Sequence, residues 1–163
     1  MELIRFFPAS FFRLCEGTTL GQWIIHGQWY FAVIETVHIM AVAILLGSIA
    51  VVDLRLLGYG LRRQQVACIA RQLAPWTLSS LAVMVLTGIP MFLSEAIKMG
   101  RNESFFWKML LLIGALAVYF TLHWKITIRQ PAEEGGFAKL TACLSLLLWF
   151  GVALAGRAIA FFG

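Results

Sequence analysis

Five ionisable side chains interrupt stretches that are otherwise apolar: Glu35, His38, Lys108, His123 and Arg157. A charge in the middle of a bilayer is costly, so such residues turn towards a bundle interior or a cavity and find partners there. With helix ends taken at Trp29, Ser94, Phe105 and Phe162 and about 1.5 Å of rise per residue, Glu35 lies roughly 9 Å deep and Arg157 roughly 8 Å, and the two are expected to pair. His38 follows Glu35 by three residues and so shares its helix face. On the same ruler it sits at roughly 14 Å, near mid-membrane. Lys108 starts only about 5 Å down its helix, with a stem long enough to reach either the interface or the Arg157 level. His123, at roughly 27 Å, approaches the opposite boundary.

An imidazole near mid-membrane, with cations one or two turns nearer one surface, suits haem b. Neutral imidazole ligates iron, the porphyrin needs an apolar aromatic slot between helices, and the propionates need cations. His38 supplies the ligand, the 13 Phe and 6 Trp supply the slot, and Arg157 and Lys108 supply the cations, with Glu35 beside them. For a second axial ligand Met84, at about 15 Å, matches the level of His38, whereas His123 is about 13 Å too deep. Copper is a second reading, because His38, Met40, Met84, Met91 and His123 are soft or borderline donors that suit Cu(I), although they form no tight cluster. A third reading is a non-catalytic accessory subunit. In it Glu35 and Arg157 bridge two helices, Lys108 snorkels, His123 anchors beside Trp124, and His38 bonds a carbonyl or Thr77, Ser79 or Ser80. Hydrolase and nucleotide chemistry leave no trace: there is no Ser/His/Asp order with an oxyanion motif, no phosphate loop and no HExxH. Cys15, Cys68 and Cys143 are odd in number and far apart, without zinc spacing, and read as small apolar residues.

The elements that must position these residues follow from composition. Of the 163 residues 61% are apolar or aromatic and 13% charged, where soluble domains carry roughly 25% charged residues. The mean hydropathy is +0.85. This is the composition of an integral membrane protein with the lipid bilayer as its partner. The net charge of +5 is dispersed between apolar runs, which argues against a nucleic-acid partner. Four stretches reach the length of about 20 residues that a spanning helix needs: 29–52, 73–94, 105–124 and 138–162. Their separators, 53–71, 95–104 and 125–137, carry charges and glycines, with Pro131 in the third. The expected fold is therefore all-α, an integral membrane four-helix bundle over 29–163. Residues 1–28, where Phe and Trp alternate with Arg5, Arg13 and Glu16, form an N-terminal interfacial segment. That segment lacks the pattern of a cleaved signal peptide. Pro90 is expected to kink the second span near Thr87 and Gly88. Gly151, Ala155 and Gly156 permit close helix approach, whether inside one bundle, in a homo-oligomer or in a larger membrane complex.

The run Glu35-Thr-Val-His38 through Leu46-Gly47 to Asp53-Leu-Arg55-Leu-Leu-Gly58, then Thr87-Gly88, Phe106-Trp-Lys108-Met-Leu-Leu-Leu and Leu122-His123, resembles an uncharacterised family of small bacterial four-helix membrane proteins. It is also distantly similar to the haem-binding membrane protoporphyrinogen oxidase and to copper-resistance D membrane domains. In the oxidase family an early His, a turn ending in Arg, a Thr-Gly and a third-helix Lys with a later His recur in that order. By that resemblance His38 and Lys108 are the cofactor-proximal pair, and the activity implied is a haem-dependent membrane oxidoreductase acting on a quinol or porphyrinogen. The chain departs from that pattern in lacking the aromatic-Ala-Gly step after the His, and in carrying Asp53-Leu-Arg55 where Leu-Pro-Arg is expected.

The resemblance implies a bacterial inner membrane, and the basic residues orient the chain within it. The first and third connections with their flanks carry Arg55, Arg62, Arg63, Arg71, Lys125, Arg129 and Lys139, against Arg5, Arg13, Lys98 and Arg101 on the other side. This bias of seven to four places both termini outside the cytoplasm. On a cysteine-free background, an impermeant thiol reagent added outside should label Arg101→Cys and leave Arg63→Cys untouched. The opposite pattern inverts the topology.

Overall fold

In hydrocarbon the backbone must satisfy its own N–H and C=O groups, and long apolar runs do so as helices. The computed structural model describes residues 3, 7–60, 64–129 and 135–162; Arg5, Arg62, Arg63, Pro131, Glu133 and Glu134 lie outside them. Among the described residues there is no strand. The elements are α1 (Ala9–Glu16), α2 (Thr19–His26), α3 (Tyr30–Leu56), α4 (Val66–Ser94), α5 (Ala96–Arg101), α6 (Glu103–Val118) and α7 (Gly136–Phe162). After α6 the helix continues as two π-helical turns, Tyr119–His123 and Lys125–Arg129. Four helical stretches are long and apolar enough to cross a membrane: α3, α4, α6 with its π turns, and α7.

The helices outrun the hydrophobic stretches, chiefly at the ends facing the basic connections. The first helix does not stop at Val52. It continues to Leu56 because its stop signal is Gly58, at φ 90°, where the Gly58 N–H donates to the Arg55 carbonyl and the Tyr59 N–H to the Leu54 carbonyl. This is a Schellman ending, for which glycine carries no Cβ penalty. Asp53 and Arg55, expected in a connection, are therefore helical. The second helix starts at Val66 rather than at 73, because Val66, Ile69 and Ala70 form a buried stripe ahead of the long apolar run. It continues through both Pro75 and Pro90.

Two hairpins make the bundle: α3 packs on α4, α6 on α7, and α3 against α7 joins them. One apolar cluster holds Leu45 and Ile49 of α3, Met84 of α4, Ala115 of α6 and Trp149 of α7. A second, towards the C-terminal end of α3, gathers Val52, Leu56, Val66, Ile69, Ile126 and Ala142. Large apolar side chains such as Val33, Ile113, Leu147 and Phe150 point outward, as a lipid-facing surface requires. Asn102 fastens the second hairpin at its other end. Its Oδ1 accepts from the Phe105 N–H at 3.1 Å, capping α6, while its Nδ2 donates to the Ile159 carbonyl at 3.3 Å.

The N-terminal segment forms two short helices seated on the bundle, α1 against α5 and α2 against α4. Phe12, 1% exposed, lies against Gly100, where a Cβ would come within 2.7 Å of its ring. On α2, a Cβ at Gly21 would lie 2.7 Å from the Leu93 carbonyl oxygen, a rigid backbone atom that cannot turn aside. Gly21→Ala should therefore push α2 off α4 and lower stability in detergent by about 1–3 kcal/mol, the usual range for overpacking. Gly47→Ala, where a Cβ would meet nothing within 4 Å, should leave the thermal midpoint unchanged or slightly raised. Equal melting of the two variants would detach α2 from the bundle.

Candidate functional site

Two polar clusters sit in the bundle, one on each side of the Leu45–Met84 core layer. The first is built on His38. Its Nδ1 is 2.8 Å from Thr87 Oγ1 on α4, with the Met84 carbonyl as a further acceptor beside the ring. Thr87 carries one hydroxyl proton, and that proton goes to the Val83 carbonyl at 2.7 Å. With that proton so placed the hydroxyl oxygen accepts from Nδ1–H, the ring tautomer in which Nε2 keeps its lone pair. Among the described residues nothing bonds that Nε2. Gly88 makes the close approach of α3 and α4 feasible here, since a Cβ would lie 3.3 Å from His38 Cε1.

Lys108 of α6 is the nearby cation acting on the His38 ring. Its ammonium lies over Gly156 of α7, 3.7 Å from where a Cβ would stand. Among the described residues it has no hydrogen-bond or ion-pair partner. His38 and Lys108 thus lie within electrostatic range of one another. Met84 is one turn from Thr87 on the same helix and buried in the central cluster. Glu35 is exposed, and so is Arg157, whose guanidinium stands 5.4 Å above the Phe161 ring. No ion pair joins Glu35 to Arg157, which corrects the expected bridge: matching depth did not bring the two onto facing sides.

The second cluster is built on His123, which is no boundary anchor. It is 3% exposed, and its Nε2 lies 2.9 Å from Oδ1 of Asp53, itself 0% exposed. The π turn starting at Tyr119 presents the ring to α3, and Tyr119 stacks on it with centroids 5.2 Å apart and planes at 23°. Beside the pair is a cavity of about 10 Å³ lined by Ser48, Thr77, Tyr119, His123, Trp124 and Thr127 among others. That is room for about one water, not for a porphyrin. Asp53 Oδ2, and Ser145 Oγ and Trp149 Nε1 on α7, are enclosed without a hydrogen-bond partner among the described residues. Among the described residues no three of His, Cys, Asp and Glu gather into a metal-sized group.

The model of a family of unknown function, DUF6644, matches residues 11–162. The chain belongs to the DUF6644 family. Comparison with curated proteins and with solved structures finds no match. The DUF6644 match spans both polar clusters and all four long helices, and it bears out the expected membership of an uncharacterised family.

Asp53 and Thr87 are the site residues that the hydropathy reading passed over. Gly58 was the available signal for Asp53, since a helix ending at a C′ glycine keeps residue 53 one turn inside. For Thr87, the signal was its place before Gly88 at the level of His38. Removing one partner of a buried hydrogen-bonded pair strands the other and costs about 1–3 kcal/mol, whereas replacing both with apolar groups can be nearly neutral. Asp53→Leu and His123→Leu should each destabilise the protein in detergent by that amount, and the double variant by much less than their sum. Additive losses would mean that the two side chains do not meet.

Proposed function

We propose that this DUF6644 protein binds haem b through His38 and serves electron transfer, or the oxidation of a small membrane-soluble substrate such as a quinol or a porphyrinogen, in a bacterial inner membrane with both termini outside the cytoplasm. The observation that carries this reading is the His38 Nδ1–Thr87 Oγ1 hydrogen bond at 2.8 Å, with no partner at Nε2 among the described residues. Histidines that ligate metals almost always donate their other ring N–H to a fixed acceptor, which sets the tautomer and the ring plane. Thr87, anchored in turn on the Val83 carbonyl, is such an acceptor.

The donor chemistry therefore fits an iron ligand, and the unpartnered Lys108 ammonium fits a propionate carboxylate. Arg157 follows Gly156, over which Lys108 lies, and supplies a second cation at the same end of α7. Bound haem supplies one-electron redox chemistry. The chain's own residues orient the imidazole, neutralise carboxylates and keep water from the ring face that packs on Gly88. The enclosed cavity near His123 has no part in holding the macrocycle.

The test is the visible spectrum of protein purified in detergent after expression with excess haem, with metal analysis of the same sample. Wild type should show a Soret band and a dithionite-shifted α band, and His38→Ala should lose both. Thr87→Val should weaken haem retention by roughly 10–100-fold, as loss of an outer-shell partner does. The Asp53→Leu/His123→Leu double variant should keep the spectrum. Wild type without a Soret band, or an unaltered spectrum in His38→Ala, overturns the reading; stoichiometric copper instead would favour copper handling.

A further inference from the structure

Glu35 and Arg157 are opposite charges that the fold of one chain leaves apart. Both are exposed on helices long and apolar enough to cross a membrane, and among the described residues no ion pair joins either to another side chain. They stand near one level. Glu35 lies one turn from His38 on α3, the His38 ring is within electrostatic range of Lys108, and the Lys108 ammonium lies over Gly156, next to Arg157. Ionisable residues within a span almost always face a bundle interior or pair with one another. Within one chain these two do neither.

The outward faces of the two helices differ in kind. On α3, Ala32, Thr36, Ile39 and Ala43 are exposed at steps of four, three and four, followed by Gly47, where a Cβ would meet nothing within 4 Å. The Thr36 hydroxyl donates to the Ala32 carbonyl at 2.7 Å, so this face is shallow and its hydroxyl proton is already placed. On α7, Leu147, Phe150, Leu154, Arg157 and Phe161 are exposed at steps of three, four, three and four, the spacing of a coiled-coil seam. Arg157 is in line with the large apolar residues.

Small residues let helices approach closely in lipid, and large ones fill the space that this opens. The glycines of α7 are already engaged inside the bundle, Gly151 against Leu111 and Gly156 against Lys108, both on α6. The short N-terminal helices sit chiefly against α4 and α5, away from this side. Because α3 packs against α7, a two-fold axis along the membrane normal beside the pair sets α3 of each copy against α7 of the other. Such an axis keeps every residue at its own depth and makes the contact self-complementary. Glu35 of one copy then meets Arg157 of the other, twice per dimer, and the large α7 side chains lie on the shallow α3 face. The acid on one helix and the base on its neighbour select the occupant: a second copy brings each the opposite charge at the same level.

We propose that the protein forms a two-fold homodimer in the membrane through the outward faces of α3 and α7, with Glu35 of each copy paired to Arg157 of the other. His38 is turned to Thr87 of α4 and takes no part. A guanidinium carries five N–H donors, so pairing with Glu35 leaves donors for a propionate, and the dimer does not depend on haem.

The test uses full-length protein expressed without added haem, so that its outcome is separate from the visible spectrum. On a cysteine-free background, a Glu35→Cys chain and a differently tagged Arg157→Cys chain are co-expressed and oxidised in liposomes. A disulfide-linked heterodimer should form, keeping one native Glu35–Arg157 pair, while either variant alone should cross-link at least about fivefold less because its cysteines are not opposed. Light scattering in mild detergent should give wild type twice the chain mass. Arg157→Glu should raise the dissociation constant at least about tenfold, since like charges then face each other, and Glu35→Arg/Arg157→Glu should restore it. Ala43→Leu, which leaves both charges in place, should also weaken the dimer. A monomeric wild type, its charges met by lipid headgroups, overturns the proposal. So does a cross-link that is absent or equally strong in either variant alone, a double reversal no tighter than Arg157→Glu, or an Ala43→Leu dimer as tight as wild type.

Discussion

The hydrogen bond between His123 and Asp53 joins the two hairpins of the bundle from the inside. Asp53 belongs to the α3/α4 hairpin and His123 to the hairpin of α6 and α7. In an apolar medium neither side chain has water to fall back on, so each is committed to the other. Helices that meet in lipid gain little from the hydrophobic effect, because lipid tails are as apolar as leucine. Packing of Leu45, Ile49, Met84 and Trp149 supplies contact, and the buried polar pair supplies register, since sliding α3 by one residue would turn Asp53 away from the ring. The Ser48–Thr77 hydrogen bond does the same within the first hairpin.

The bundle is polarised along its axis. Towards the N-terminal end of α3, the His38 ring bonds the Thr87 hydroxyl, and short helices are seated on the bundle by Phe12 and Gly21. Near the C-terminal end, the Asp53 carboxyl group and the His123 imidazole bond to each other beside a cavity the size of a water. The layer between them is apolar apart from hydroxyls such as Ser80, whose proton is spent on the Thr77 carbonyl at 3.1 Å. Each end therefore carries its own chemistry.

Much of this was legible in the sequence. The four spans announce themselves by hydropathy, and the apolar outer surface follows from them. Gly residues on facing helices make room for the two side chains singled out first: Gly88 for the His38 ring and Gly156 for the Lys108 ammonium. Depth along a helix was a poor guide wherever azimuth mattered. Glu35 and Arg157 lie at matching levels and face different ways, and a one-dimensional ruler carries no angle. Asp53 was hidden by the same arithmetic, since a charge at the end of an apolar run looks like the edge of the membrane. The helix had four more residues to run before its glycine. The π turns leave no trace in hydropathy at all.

Those turns carry a consequence for how the third long helix tolerates change in length. In an α-helix each residue advances the azimuth by about 100°, and a π turn takes up one residue more per turn. Two such turns in succession re-phase everything that follows, so that Ile126 and Thr127 are buried while Lys125 is exposed. The segment behaves as an absorbed insertion. The loss of a single residue between Leu116 and Tyr119 would rotate His123 off Asp53 unless one turn relaxed to α geometry, and the residues beyond would then have to be re-indexed against α4. The length of this helix is fixed by the angle at which one ring must arrive.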